Sequence, residues 1–135
     1  MAAAKICGLA HIGLFITDIE RTKAFYKDIL EFDNIYECQT KEADGSITKI
    51  CFMRNGDLTL ELVQFEKPTQ KVDGWVDHIA LKVQNIEATK ELLESRGIEF
   101  EEKEITYAPH VFPNGDKWIL FRGPDGEHLE INEIQ

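Results

Sequence analysis

At 135 residues, 43% of them hydrophobic, the chain has the size of one domain and enough apolar content for a sizeable buried core. A formal charge of −10 and a pI near 4.8 repel phosphate backbones and anionic lipid, which sets nucleic acid and membrane surfaces aside as partners. Cys7, Cys38 and Cys51 show no CxxC spacing and point to free thiols in a reducing compartment; with no apolar run near the ~18 residues of a membrane span, a soluble, cytoplasmic protein is expected.

The first pattern along the chain is strict alternation. Ile12, Leu14 and Ile16 fall on one face of a strand, and His11, Gly13 and Phe15 on the other. Asp18 stands where a helix N-cap belongs, before a helical stretch with Ile19, Tyr26, Ile29 and Leu30 as its apolar positions. Strand-like runs follow at about 35–40, 47–54 and 58–65, with Asn55-Gly56-Asp57 turning the chain into the last of them. A linker at 67–75, containing Pro68 and Gly74, leads to a second unit of the same design. There Ile79, Leu81 and Val83 alternate with His78, Ala80 and Lys82, and Asn85 caps a helix with Ile86, Leu92 and Leu93 that stops at Gly97. Runs at about 99–106, 117–122 and 127–134 complete it, with Pro124-Asp125-Gly126 as the final turn.

The two units are copies. AHIGLFITDIERTK returns as DHIALKVQNIEATK, and aligning His11 with His78 also pairs Ile12 with Ile79, Leu14 with Leu81, Ile19 with Ile86, Glu20 with Glu87, Thr22 with Thr89 and Lys23 with Lys90. Two residues of insertion later, Phe52 matches Phe121, Leu60 matches Leu129 and Glu61 matches Glu130. The organisation is βαβββ twice, at about 8–66 and 76–134, within a single domain spanning 1–135.

In the last strand of each copy, Leu58, Leu60 and Leu62, or Leu129 and Ile131, form an apolar face that throws Glu61 or Glu130 to the other side. His11, Glu61, His78 and Glu130 are therefore expected at mid-strand on the face turned away from the apolar one. A single glutamate or histidine in such a place is an ordinary solvated side chain. The recurrence of both at matching places in both copies is what a solvated face would not require. Imidazole with carboxylate suits a divalent transition metal, and the lack of cysteine in the set argues against a closed structural zinc site. His128, two residues from Glu130, is either an outer partner of the site or a competing ligand, and His110 in APHVFPNGD reads as a surface or lid residue.

These residues resemble the vicinal oxygen chelate superfamily, the group of glyoxalase I, methylmalonyl-CoA epimerase, extradiol dioxygenases and the fosfomycin and bleomycin resistance proteins. The resemblance runs from HIGLFITDIERTKAFY through DHIALKVQNI to FRGPDGEHLEI. It implies an α+β fold in which paired βαβββ modules form a cup-shaped mixed sheet around one divalent metal ion per site, whether nickel, zinc, cobalt, manganese or iron. The implied ligands are His11, Glu61, His78 and Glu130, and a homodimer with sites shared between chains is implied as well. Within the superfamily a full His-Glu-His-Glu set is most similar to glyoxalase I, which implies a metal-dependent lyase or isomerase. The substrate would be a small oxygenated compound, with a lactoylglutathione-type thiol adduct as one form. One of Glu61 or Glu130 would be the base, and the first choice falls on Glu130. A racemase or epimerase of the methylmalonyl-CoA epimerase kind and a non-catalytic binding protein of the bleomycin-resistance kind are the alternatives.

The chain departs from glyoxalase I at two places where that enzyme usually contacts glutathione. Phe15 stands in place of an arginine, and Phe65 in place of an asparagine. Phe15, Phe65 and Phe52 are candidates for an apolar substrate wall, with ordinary core or dimer packing as the other role for such side chains. Lys82 and Arg54 or Arg122 are candidates for holding an anionic group, and Trp75 and Trp118 are open between packing and pocket, Trp118 being placed to cap a mouth.

Overall fold

The computed structural model describes residues 4, 5, 7–70, 72–74 and 76–135, and the chain divides into two units, Met1–Thr69 and Gln70–Gln135. The division falls inside the expected linker; Lys71 and Trp75 lie outside the described residues.

In the first unit, alternation produces β1 (Ile12–Phe15), β2 (Asp33–Lys41), β3 (Ile47–Asn55) and β4 (Leu58–Gln64), ordered β1-β4-β3-β2. The first and last strands pair in parallel and the others antiparallel, so the sheet is mixed. Between β1 and β2 runs α1 (Ile19–Ala24), which widens into a π-helical turn at Phe25–Ile29. The second unit repeats the plan with β5 (Ile79–Lys82), α2 (Ile86–Ser95), β6 (Thr106–Ala108), β7 (Asp116–Arg122) and β8 (His128–Ile134), ordered β5-β8-β7-β6, with β5 and β8 parallel. This is the expected α+β class of paired βαβββ modules with mixed sheets.

Each helix covers the apolar face of its own sheet. In the first unit Ile19, Tyr26, Leu30 and Phe32 are buried along with Cys51, Met53, Leu60 and Leu62, and α1 packs on β3 and β4. Ile86, Leu93, Ile119, Phe121, Leu129 and Ile131 do the same in the second, where α2 packs on β8. Each such side chain taken from water stabilises the fold by about 1.5–3 kcal/mol. The opposite faces of the two sheets, which carry the glutamates, are thereby left for other work.

Both helix starts are tied twice. Asp18 accepts from the Arg21 N–H at 3.1 Å and Asn85 from the Ala88 N–H at 3.2 Å, as N-caps should. The last strand adds a second tie: Gln64 accepts from the Ile19 N–H at 2.7 Å, and at the matching place Glu133 accepts from the Asn85 and Ile86 N–H groups at 2.8 and 3.1 Å. The end of the last strand of each unit is so fixed to the start of the helix that follows its first strand.

Two expectations need correction. The strand expected at 99–106 is not continuous: Phe100 makes an isolated bridge to Phe121, and regular pairing begins only at Thr106. Glu101, Glu102, Lys103 and Glu104 are all exposed, and with no apolar alternate among them the segment has nothing to bury on either face. The histidines also do not sit at mid-strand. His11 and His78 immediately precede β1 and β5, while Glu61 and Glu130 are central in β4 and β8. Among the described residues, no helix is long and apolar enough to cross a membrane, and Cys7, Cys38 and Cys51 are free.

Candidate metal centre

Strand register explains how each histidine meets its glutamate. Gly13 on β1 lies opposite Glu61, and His11, two positions earlier, projects from the same face. Ala80 on β5 lies opposite Glu130, with His78 two positions earlier. The imidazoles then reach diagonally across the parallel pair. His11 Nε2 is 3.6 Å from Glu61 Oε1, and His78 Nε2 is 3.3 Å from Glu130 Oε2. A Cβ added to Gly13 would lie 3.6 Å from Glu61 Oε1, ordinary van der Waals contact, so that position would admit an alanine such as the one at Ala80 opposite Glu130.

Both separations are longer than a direct hydrogen bond. An N–H···O bond is about 2.7–3.2 Å long. Two donors each about 2.1 Å from one divalent ion, subtending 90–110°, lie about 3.0–3.4 Å apart. The first pair, at 3.6 Å, is slightly wider than that and the second, at 3.3 Å, lies within it. The donor chemistry, neutral imidazole with carboxylate, is that of a transition-metal site. Among the described residues no three His, Cys, Asp or Glu side chains gather into a metal-holding group; of the four expected ligands, each unit brings together one imidazole and one carboxylate.

The two pairs have different surroundings. Glu130 is almost fully buried, with 9% of its side chain exposed, and its Oε1 accepts from Asn132 Nδ2 at 3.0 Å; the Glu61 side chain is 25% exposed. Asn132 Nδ2 also donates to Asp116 Oδ2 at 2.9 Å, and the other Asp116 oxygen is buried without a partner among the described residues. His78 Nδ1 lies 2.9 Å from Asp77 Oδ2, whereas His11 stands edge-on to the Phe52 ring with centroids 5.6 Å apart. His128 is an outer residue of this group: its Nε2 lies 3.0 Å from Glu101 and its Nδ1 3.7 Å from Asp77. Sequence patterns did not single out Asp77, Asn132, Asp116 or Glu101. Adjacency to His78 and the two-residue spacing from Glu130 were the available signals for the first two.

The remaining candidates are dispersed. Phe15 and Phe65 form an edge-to-face pair with centroids 5.1 Å apart and are both substantially exposed, so they make an apolar surface rather than core. Arg54 donates through Nε to Thr59 at 3.1 Å. Arg122 is committed to Asp73, Glu101 and the Gly126 carbonyl, at 2.8, 3.0 and 2.9 Å, which leaves its guanidinium little freedom to hold a ligand; its hydrogen bond to Asp73, and then its charge, hold the Asp73 carboxyl below the usual range. Lys82 is exposed and Trp118 half-buried, each across from Asn132 in the ladder, and His110 lies exposed in the loop before β7. A cleft of about 750 Å³ beside the β2–β3 turn, lined by Glu42, Asp44, Ser46, Glu66 and Lys67, meets the candidate set only at Phe65.

The chain is similar to several known proteins. The chain is 32% identical over 127 residues to the uncharacterized protein YwkD of Bacillus subtilis, covering 91% of this chain and 94% of that protein. It is 25% identical over 142 residues to a 2-epi-5-epi-valiolone epimerase from an Actinomyces species, covering 90% and 76%. In fold it matches the fosfomycin resistance protein FosX from Listeria monocytogenes, solved with Mn(II) and sulfate, with a TM-score of 0.65, 21% identity, and coverage of 97% of this chain and 95% of that one. The profile of the Glyoxalase/Bleomycin resistance protein/Dioxygenase superfamily matches residues 8–131, and the chain belongs to that superfamily.

Proposed function

We propose that the protein is a divalent-metal-dependent isomerase or lyase of the glyoxalase I type, with His11, Glu61, His78 and Glu130 as the ligands. The observation that carries this reading is the repeated imidazole–carboxylate pair, at 3.6 Å in one unit and 3.3 Å in the other, at matching register in both. A bound divalent cation would supply Lewis-acid stabilisation to a substrate carbonyl or enediolate oxygen. The chain's own part is proton transfer beside that oxygen: the carboxylate of Glu61 or Glu130 removes a proton from the adjacent carbon and returns it at its new position. The substrate is a small oxygenated compound, and the exposed Phe15–Phe65 pair favours one with an apolar portion over a free glutathione carboxylate. Because each unit carries two ligands, a four-ligand site needs two units, and a homodimer can take them from different chains.

An epimerase reading rests on the similarity to the 2-epi-5-epi-valiolone epimerase and uses the same proton chemistry. The two part in product: in deuterated water, label entering a stereocentre without net conversion indicates epimerisation, while conversion of a hemithioacetal to a 2-hydroxy thioester, with the carbon skeleton kept and the oxidation levels of two neighbouring carbons exchanged, indicates the glyoxalase type.

The test is metal uptake by stripped protein, followed by elemental analysis and calorimetry with Ni, Co, Zn and Mn. Uptake is expected in the wild type and loss in His11→Ala and His78→Ala; mixing the two variants should restore part of it if sites are shared between chains. Absence of uptake, or uptake indifferent to both substitutions, would overturn the reading. Glu61→Gln and Glu130→Gln, assayed for hemithioacetal turnover and deuterium exchange, identify the base as the one whose loss stops exchange while metal is retained.

A further inference from the structure

We infer that Asp77 and Asn132 are positioning residues that hold His78 and Glu130 as the fixed half of the metal site, while His11 and Glu61 form the yielding half. This rests on the metal reading above. A carboxylate can only accept, so the 2.9 Å contact from His78 Nδ1 to Asp77 Oδ2 requires the proton on Nδ1 and leaves the lone pair on Nε2, the atom that faces Glu130. The same Asp77 oxygen lies 3.7 Å from His128 Nδ1, beyond hydrogen-bond length, and His128 Nε2 lies 3.0 Å from Glu101. The Asp77 contact thus fixes both the tautomer and the direction of the imidazole.

Asn132 does the equivalent for the carboxylate. Its amide nitrogen donates to Glu130 Oε1 at 3.0 Å and to Asp116 Oδ2 at 2.9 Å, so both acceptors call for the NH2 end and the amide has one orientation. With Oε1 engaged, Oε2 is the Glu130 oxygen left 3.3 Å from His78. The first unit offers neither device: the residues that match Asp77 and Asn132 in the repeat are Ala10 and Val63, whose side chains cannot donate or accept.

Asp77 is two-thirds exposed, so its bond to His78 contributes little to folding, and its loss should be felt by the metal rather than by the fold. The experiment is Co(II) titration of stripped, full-length protein, read by calorimetry and by visible absorption, with melting temperature measured alongside. Asp77→Ala and Asn132→Ala are each expected to weaken Co(II) binding about 10–100-fold, the loss usual when a ligand's outer hydrogen-bond partner is removed. Asp77→Ala should leave the melting temperature unchanged. Asp77→Asn, which keeps an acceptor for Nδ1–H, should recover most of the affinity. Co(II) affinity within twofold of wild type in both alanine variants, with His78→Ala still abolishing binding, would overturn this inference alone; a wild type that takes up no Co(II) would overturn it together with the metal reading.

Discussion

Glu133 on β8 closes the start of α2, its carboxylate accepting the Ile86 N–H at 3.1 Å and the neighbouring Asn85 N–H at 2.8 Å. These backbone donors, Ile86 first, hold the Glu133 carboxyl below its ordinary value of 4.5. A carboxyl whose folded value is depressed stabilises the fold fully above the unfolded value and loses that contribution as pH falls through the folded one. Gln64, which does the same work for α1, does not titrate. Melting followed from pH 7 down to pH 3 should therefore fall more steeply in the wild type than in Glu133→Gln. Parallel curves would show that the tie to α2 carries no pH dependence.

Cys51 is fully buried on the helix-covered face of β3, and burial is the main cause that pushes its thiol up to about 11. At pH 8 a thiol reagent should label exposed Cys7 quickly and leave Cys51 unreacted until the protein is unfolded. Because the folded value is raised, the thiol's contribution to stability is whole below the unfolded value of 9.0 and declines as pH rises towards 11. Mass-spectrometric mapping of labelled peptides in native and denatured protein checks the first point. Equal labelling of Cys7 and Cys51 in native protein would contradict it.

Gly115 and Gly56 both take left-handed backbone, with φ of 97° and 59°, but only one of them is crowded. A Cβ on Gly115 would lie 2.5 Å from the Tyr107 ring, whereas one on Gly56 meets nothing within 4 Å. Gly56→Ala should cost about 1–2 kcal/mol for the backbone alone. Gly115→Ala should cost about 1–3 kcal/mol more, from the displaced ring. Urea denaturation of the two variants measures the difference, and equal losses would mean that Tyr107 moves aside freely.

The sequence by itself determined the repeat, the order of elements and the face each residue occupies. Alternation and turn residues act over a few neighbours, so the inward Leu60 and Leu62 and the outward Glu61 were legible, as were the caps Asp18 and Asn85. The same local signals failed at 99–106, where a strand was expected and a run of exposed charged residues has no face to bury.

Only the tertiary structure decided which of those outward residues meet. The parallel register that sets Gly13 against Glu61 and Ala80 against Glu130 is fixed by hydrogen bonds between segments about fifty residues apart, together with burial of the opposite face under α1 or α2. That register brings each histidine to its glutamate although both histidines precede their strands. It also separated two copies that look alike in sequence. Asp77 and Asn132 became partners of His78 and Glu130 through side-chain hydrogen bonds that no periodicity encodes, and Arg122 was spent on Asp73 and Glu101 for the same reason.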